Sequence, residues 1–505
     1  MEIGAGVNEL PGRAGDAKVL IMGAGPAGLT AAYELCQRGV PSIVLEADNM
    51  VGGIARTANY KGYLFDMGGH RFFTKVTLVE RIWKEVLGDD FITRPRASRI
   101  YYRNKFFHYP LEPMNALRGL GIVEALRCGL SYAWAQVCKV RPEDDFETWV
   151  SNRFGKRLFQ IFFKTYTEKV WGIPCREIKA EWAAQRIKDL SLFTLVWNAI
   201  RPNRAQDKQK IVKTLIHEFQ YPRKGPGMMW ERTRDIVEKR GSRVILEAPV
   251  EKIRWRPGSV ESVVAGGREY RAEHFISSLP IRDLIHMFDP PPPENFLRAA
   301  DDFHYRDFLT VALIIRGANL FPDNWIYVHD NNVKVGRIQN YNNWSPEMVP
   351  DPSTTCLGLE YFCTQGDLIW AMKNDALVDL ARRVLAALEL VDPGSVIDGT
   401  VVRVKKAYPV YDDSYRRGLA GVQEFLTAVP NLQLVGRNGM HRYNNQDHSM
   451  LTAVLAARNI TGAKYNLWNV NVDADYHESG TAITEEELKA LEETQPMVPS
   501  RAGAA

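Results

Sequence analysis

The stretch Lys18–Leu29 reads KVLIMGAGPAGL and decides the fold. An apolar run of strand character leads into a glycine-rich turn, and a helical pattern then continues to Arg38. A second apolar run, Pro41–Leu45, follows directly. Strand, glycine-rich turn, helix and strand in this order predict one βαβ unit of a Rossmann-like α/β domain.

The three glycines of this turn fit the spacing of a dinucleotide-binding motif. Gly23 permits the tight turn, Gly25 lets a pyrophosphate approach the backbone, and Gly28 lets helix and strand pack closely. The free N–H groups and the helix dipole then favour the pyrophosphate. Glu46 ends the second predicted strand, where a carboxylate accepts hydrogen bonds from ribose hydroxyls.

The chain after Glu46 favours FAD over a nicotinamide nucleotide. A second glycine pair with an arginine continues past the ribose position, and a third glycine pair precedes His70. A late strand, loop and helix over 432–460 are typical of the segment that completes an FAD site. The further predicted cofactor-binding residues are Gly52, Gly53, Arg56, Gly69, Val250, Gly436 and Arg437.

Length and composition exclude several classes of protein. A chain of 505 residues with 45% hydrophobic and 25% charged residues is globular, and neither collagen-like nor wholly disordered. A net charge of +4 predicts neither nucleic acid nor an acidic membrane as the main partner. Six scattered cysteines without a CxxC, and no His pair at metal spacing, predict free thiols, no metal site and a cytoplasmic location.

The predicted organisation is a discontinuous FAD-binding domain with two inserts. Apolar residues at three- and four-residue spacing predict a mostly helical insert, and alternating residues over 307–365 predict an antiparallel sheet. The longest apolar stretch, Gly119–Cys138, is broken by charges and predicts no membrane span. The predicted segments are a disordered leader (1–16), FAD-binding parts (17–75, 216–290 and 426–470), the helical insert (76–215), the antiparallel substrate domain (291–425) and a tail (471–505).

One further element makes the chain recognisable. Residues 162–172 read FFKTYTEKVWG, and a set of Arg and Tyr residues follows in a fixed order up to Tyr443. From about 18 to 460 the chain resembles the UDP-galactopyranose mutase family, within the amine-oxidase and protoporphyrinogen-oxidase group of flavoproteins. The glycine motif alone is much less specific than this element and the ordered set.

The resemblance implies a role for each matching position. Phe162 and Tyr166, four residues apart, would hold a flat base between them, and Trp171 would line a sugar pocket. Arg186 and Arg337 would clamp a diphosphate, to which Tyr408 and Tyr443 would donate hydroxyls. His70, with these four residues, makes up the predicted catalytic set. Arg306 and Asn445 complete the predicted substrate-binding set.

The resemblance also implies the chemistry. Reduced FAD would act as a nucleophile at the anomeric carbon and interconvert the pyranose and furanose forms of a nucleotide sugar or related glycoside. NAD(P)H or a flavin reductase would first reduce the flavin. Two alternatives stay open: an FAD-dependent oxidoreductase on a sugar, amine or hydrophobic substrate, and a binding protein that has lost its flavin. The oligomeric state also stays open, with a homodimer as one alternative.

Overall fold

The computed structural model describes residues 16–109, 111–180 and 218–470. Residues 1–15 of the predicted leader, the tail and Arg186 therefore lie outside the described residues, and Asp16 begins the first strand. The strands are β1 (Asp16–Met22), β2 (Ser42–Leu45), β3 (Thr57–Tyr60), β4 (Tyr63–Asp66), β5 (Phe91–Pro95), β6 (Ser98–Tyr102), β7 (Lys105–His108), β8 (Glu218–Pro222), β9 (Arg243–Ile245), β10 (Val250–Arg256), β11 (Ser259–Ala265), β12 (Arg268–Ser277), β13 (Phe288–Asp289), β14 (Tyr305–Arg316), β15 (Trp325–Val328), β16 (Arg337–Asn340), β17 (Thr354–Cys363), β18 (Val396–Pro409) and β19 (Leu432–Leu434).

The helices connect and cover these strands. The described α-helices are Pro26–Gln37, Thr77–Leu87, Pro113–Leu120, Ile122–Val137, Phe146–Phe154, Lys156–Phe159, Thr165–Trp171, Gly227–Lys239, Ile281–His286, Glu294–Asp301, Tyr341–Trp344, Leu368–Ala371, Asn374–Ala387, Tyr415–Leu426, Gly436–Gly439 and Gln446–Ile460. A π-helical turn covers Gln160–Lys164, and short 3₁₀ turns cover Gly53–Ala55, Gly88–Asp90, Pro346–Met348, Pro393–Ser395 and Leu467–Asn469.

The first sheet contains the predicted βαβ unit at its centre. Its described strands lie in the order β13–β10–β11–β12–β1–β2–β9, and β19 also pairs with β12. β1 runs parallel to both β2 and β12, and Val19 to Met22 of β1 are fully buried. Full burial on both faces is typical of a parallel strand covered by helices, which is why this run reads as continuously apolar. The α/β fold class predicted from the sequence is confirmed.

The second sheet is the predicted antiparallel one, with two strands added. Its described order is β18–β14–β17–β16–β15–β6–β7, antiparallel except between β15 and β6. The added strands β6 and β7 come from residues 98–108, within the region where helical spacing predicted mostly helix. Arg103 and Asn104 both have positive φ, which is the geometry of a two-residue hairpin turn. The aromatic segments on either side of this turn therefore pair as strands.

Helices after residue 145 pack on the second sheet. Phe146, Trp149, Phe159 and Trp171 share one buried cluster with Tyr408 of β18. This cluster places the end of the element 162–172 against β18, where the candidate site is built.

Candidate functional site

The glycine turn leaves no room for side chains. A Cβ on Gly28 would lie 3.0 Å from the Gly23 carbonyl carbon and overlap its oxygen. Gly23 has a φ of +100°, and a Cβ there would overlap Ser278 Oγ. Gly25 precedes the helix Pro26–Gln37, and no side chain caps its N-terminus by a hydrogen bond. The N–H groups of this helix terminus therefore suit an anionic ligand group.

Glu46 stands at the edge of this turn. Its Oε2 accepts a 2.7 Å hydrogen bond from the Ala24 N–H, and its Oε1 accepts one of 3.1 Å from the Asp48 N–H. Its carbonyl oxygen accepts from the Ala248 N–H at 2.8 Å, two residues before Val250 at the start of β10. This hydrogen bond places Glu46 close to the start of β10, where Val250 lies.

The second glycine pair packs against the first motif. Gly52 donates its N–H to the Ala24 carbonyl at 2.9 Å, and a Cβ on Gly53 would lie 3.2 Å from Gly25 Cα. Arg56 pairs with Asp48 at 2.5 Å. A Cβ on Gly436 would lie 3.0 Å from Ala27 Cβ, so the late loop meets the same turn. A cradle bounded by glycines at each approach, with a carboxylate at one end, fits a dinucleotide cofactor such as FAD.

We expect Glu46→Gln to weaken FAD binding by at least about tenfold. The carboxylate is oriented by two N–H donors, and a neutral amide loses the charge-assisted hydrogen bonds that a ribose would make. The measurement is FAD titration of the apoprotein. Glu424→Gln, at an exposed position of the helix Tyr415–Leu426, is the control and should leave the affinity unchanged. Equal FAD affinity in the two variants would contradict the assignment.

A buried ion pair lies beyond the cradle. Arg337 of β16 donates from Nε (2.8 Å) and Nη2 (2.7 Å) to Oε2 of Glu360 on β17, and the two residues are direct partners in the register. Gln339 donates to Glu360 Oε1 at 2.6 Å. Glu360 is completely buried. A Cβ on Gly69 would lie 3.2 Å from Arg337 Nη1, so the predicted His70 loop passes directly beside this guanidinium.

His70 is a neutral imidazole at neutral pH. Burial, and after it the charges of Arg437 and Arg337, lower the pKa of His70 to about 3. The chain passes beside Arg337 at Gly69, and the charges of Arg337 and Arg437 both act on the His70 ring, so these three residues border one space. A neutral ring can donate or accept a hydrogen bond there, but it brings no charge to the site.

Three aromatic residues from three elements form one wall of this space. The rings of Tyr408 and Tyr443 stack at 5.7 Å with an interplanar angle of 15°. Trp171 lies 5.9 Å from Tyr443 and 6.3 Å from Tyr408. The guanidinium of Arg437 lies over Tyr443 at 4.6 Å from the ring centroid. Burial raises the pKa of Tyr408, so its hydroxyl stays a donor at neutral pH.

Tyr166 borders the same wall, but Phe162 does not. Tyr166 stacks on His329 at 5.1 Å and touches Phe362 edge-on at 6.4 Å, whereas Phe362 lies 5.7 Å from Tyr408. Phe162 packs on Phe107 in a separate cluster. Phe162 lies in the π-helical turn Gln160–Lys164, and Tyr166 lies in the helix that follows it. That the two rings hold a base between them stays a prediction.

Two further predicted residues have structural partners. Arg306 donates to Thr364 Oγ1 and to the Val170 carbonyl at 3.5 Å, beneath the end of the helix Thr165–Trp171. Asn445 precedes the helix Gln446–Ile460, and its N–H donates to His448 Nδ1 at 3.2 Å as part of a helix cap. Of the predicted set, the structure brings together His70, Trp171, Arg337, Tyr408, Arg437 and Tyr443.

Sequence reasoning assigned no role to Glu360, Gln339 or His329. Arg337 and Gln339 are two residues apart in β16, so their side chains lie on the same face of the strand. This spacing is the signal that could have placed Gln339 beside Arg337. Glu360 is reached only through the pairing of β16 with β17, which the sequence does not specify. His329 follows β15, and its stacking on Tyr166 depends on the packing of the second sheet against the helix Thr165–Trp171.

Buried histidines make the fold sensitive to acid. Burial lowers the pKa of His329 to about 3 and that of His441 to about 4. In the unfolded chain both histidines have a pKa of about 6.5, so below that pH the unfolded state binds more protons than the folded state. We therefore expect stability to be complete above pH about 6.5 and to fall as the pH drops towards about 4, by up to about 1.4 kcal/mol per pH unit for each histidine.

Urea unfolding at a series of pH values measures this slope. His329→Gln should reduce it, because one buried neutral imidazole is removed. His108→Gln, at a side chain that is 54% exposed, should leave it unchanged. Identical slopes for the parent protein and His329→Gln would contradict the expectation.

Comparisons with known proteins identify the family and the fold. The model of the flavin containing amine oxidoreductase family matches residues 26–461. Reduced UDP-galactopyranose mutase has a TM-score of 0.79 and 21% identity, over 92% of this chain and 99% of that one. The structure of putrescine oxidase bound to putrescine has a TM-score of 0.59 and 16% identity, over 88% of this chain and 99% of that one.

A shorter match concerns sequence alone. Over 78 residues the chain is 40% identical to an L-amino-acid oxidase of Crotalus adamanteus, and it spans 15% of the length of that curated relative.

The structural neighbours show that the fold is that of UDP-galactopyranose mutase and the flavin oxidases. Because the family model covers most of the chain, this protein belongs to the flavin containing amine oxidoreductase family, and its cofactor is FAD.

Proposed function

We propose that this protein is a flavin-dependent sugar mutase that interconverts the pyranose and furanose forms of a nucleotide sugar or related glycoside. The observation that carries the proposal is the charge of the space around His70. Arg337 is balanced by Glu360, but the hydrogen bonds that hold Arg437 go to the backbone carbonyls of Asn444 and Ala407. One positive charge is thus left in excess among these groups, which suits an anionic substrate and disfavours a cationic amine.

The glycine cradle and Glu46 would hold FAD, and its reduced form would supply an electron-rich ring nitrogen as the nucleophile. The chain's own residues position the sugar and its leaving group. Trp171, Tyr408 and Tyr443 offer inclined aromatic rings against which the sugar ring would pack. Arg337 and Tyr408 direct donors towards a departing diphosphate, and Glu360 fixes the orientation of that guanidinium.

The test is turnover under anaerobic conditions. The holoprotein, reduced once, is incubated with UDP-galactopyranose and other nucleotide sugars, and the ring form of the product is followed by chromatography. We expect many turnovers without further reductant. A need for fresh reductant in proportion to product would overturn the proposal. NAD(P)H or a flavin reductase would serve only to prime the flavin.

Net oxidation is the second candidate, and the family to which the chain belongs favours it. In that reading the aromatic wall would hold the carbon that is oxidised. A second anaerobic mixture, in which the flavin of the holoprotein is left oxidised, decides between the two, because a substrate that is oxidised bleaches the oxidised flavin stoichiometrically. Bleaching by an amine or a sugar, without formation of a ring isomer, would support this candidate.

For the mutase we expect Tyr408→Phe to lower kcat/KM by about tenfold to a hundredfold, because a hydrogen bond to a charged leaving group is lost. Tyr361→Phe is the matched control. Its hydroxyl is buried without a hydrogen-bond partner among the described residues, and its ring packs in the core of the second sheet. Similar kinetics in both variants would argue against a role for the Tyr408 hydroxyl.

A further inference from the structure

The helix Ile122–Val137 presents its large apolar side chains to the outside. Ile122, Leu126, Leu130 and Trp134 are 74, 62, 72 and 70% exposed. Residues four apart lie above one another on a helix, so these four form one continuous row. Its inner face carries small residues, of which Cys128 and Ala135 are buried. An ordinary surface helix has the opposite arrangement, with its large apolar residues against the core.

The row continues beyond this helix in both directions. We call the whole set the outer stripe; it consists of Met114, Leu117, Ile122, Val123, Leu126, Leu130, Trp134, Val137 and Val140, all of them exposed. Scattered exposed hydrophobic residues are normal, but a contiguous patch of this kind marks an interaction surface.

Cations flank the outer stripe. Arg103, Lys105, Arg118, Arg127, Lys139 and Arg141 are exposed around it. The exposed acids in the same part of the chain are Glu112 and Asp144, while Glu124 is mostly buried and bonds to Arg157. This local surplus of positive charge is not visible in the net charge of +4.

We propose that the outer stripe binds the surface of an anionic phospholipid bilayer, with the helix lying in the plane of the interface. Apolar side chains would enter the acyl boundary, Trp134 would sit at the headgroup level, and the flanking cations would meet lipid phosphates. In a symmetric dimer through this stripe, the flanking cations of two copies would face each other, which disfavours a second copy. Within the described residues no helix has the length and apolar character to cross a bilayer, so the contact is confined to the surface.

This surface is close to the candidate site. Cys128, on the inner face of the helix, packs with Ile161 and Phe162 of the π-helical turn. That turn leads directly into the helix Thr165–Trp171, which carries Tyr166 and Trp171. A bilayer on the outer stripe would therefore lie one helix layer away from the aromatic wall. The inference does not depend on the reaction catalysed.

Co-sedimentation of the holoprotein with vesicles tests the proposal. One set contains phosphatidylcholine alone and the other an equal mixture with phosphatidylglycerol. We expect binding to the anionic vesicles and at least about a tenfold loss in Leu126→Glu with Leu130→Glu. Leu368→Glu, at a leucine that is 87% exposed outside the stripe, should bind like the parent. Lys139→Gln with Arg141→Gln should weaken binding to the anionic vesicles selectively.

Flavin content and melting temperature establish that each variant is folded, and light scattering gives its oligomeric state. Absence of binding by the parent protein overturns the proposal, as does equal binding by the double glutamate variant. A dimer without vesicle binding that dissociates in the double glutamate variant would assign the stripe to a second copy and also overturn it.

Discussion

Replacing Arg337 by alanine is expected to destabilise the protein by about 3–5 kcal/mol and to remove most of its activity. The variant leaves the carboxylate of Glu360 fully buried with Gln339 as its remaining partner, and an uncompensated buried charge carries a cost of this size. Loss of activity follows because the guanidinium next to Gly69 would no longer face the substrate's anionic group. Urea unfolding and kcat/KM are the two measurements.

The double variant Arg337→Ala with Glu360→Gln separates these effects. Neutralising the buried carboxylate should restore much of the stability, since no unpaired charge remains. It should not restore activity, because the cation is still missing. Unchanged stability in Arg337→Ala would show that the ion pair contributes little to the fold. Recovery of activity in the double variant would show that Arg337 serves Glu360 and not the substrate.

Gly28→Ala is expected to yield a protein without FAD that is less stable by about 3 kcal/mol or more. The added methyl would overlap the Gly23 carbonyl oxygen and lie 3.3 Å from Ile21 Cγ2, so the helix must move away from β1. That movement opens the turn on which the pyrophosphate would rest. The flavin absorbance of the purified protein and its thermal melting measure the two effects.

Gly129→Ala is the matched control. This glycine lies inside the helix Ile122–Val137, and nothing approaches within 4 Å of an added Cβ. The change should retain FAD and stabilise the protein by about 0.5–1 kcal/mol, because alanine is the better helix former. Normal flavin content in Gly28→Ala would mean that the turn can widen without losing its ligand.

The local part of the fold was predictable. The strand, turn, helix and strand around Gly23 are encoded within thirty residues, so periodicity and glycine spacing suffice. The meeting of Trp171, Arg337 and Tyr443 is different, because these residues are far apart in the chain. Only a resemblance that fixes their order could indicate a common site.

Two features depend on tertiary structure and lie beyond sequence patterns. Phe162 packs on Phe107 and Tyr166 stacks on His329, so the two rings have different neighbours although their spacing is that of one helical face. Likewise, the apolar spacing of Ile122–Val137 predicts an amphipathic helix, but not that its apolar row faces outward. The hydrophobic periodicity identifies the apolar face of a helix, but tertiary packing decides whether that face contacts the core or the solvent.

The first sheet joins distant parts of the chain. β1 pairs with β2 on one side and with β12 on the other, and β12 pairs with β19. The Gly436 loop then reaches Ala27, and its N–H donates to Thr452 of the last long helix at 3.1 Å. During synthesis the amino-terminal strand must therefore wait for partners made hundreds of residues later, and such non-local pairing folds slowly. Flavin uptake by the newly made protein thus marks the moment at which both ends of the described chain have folded together.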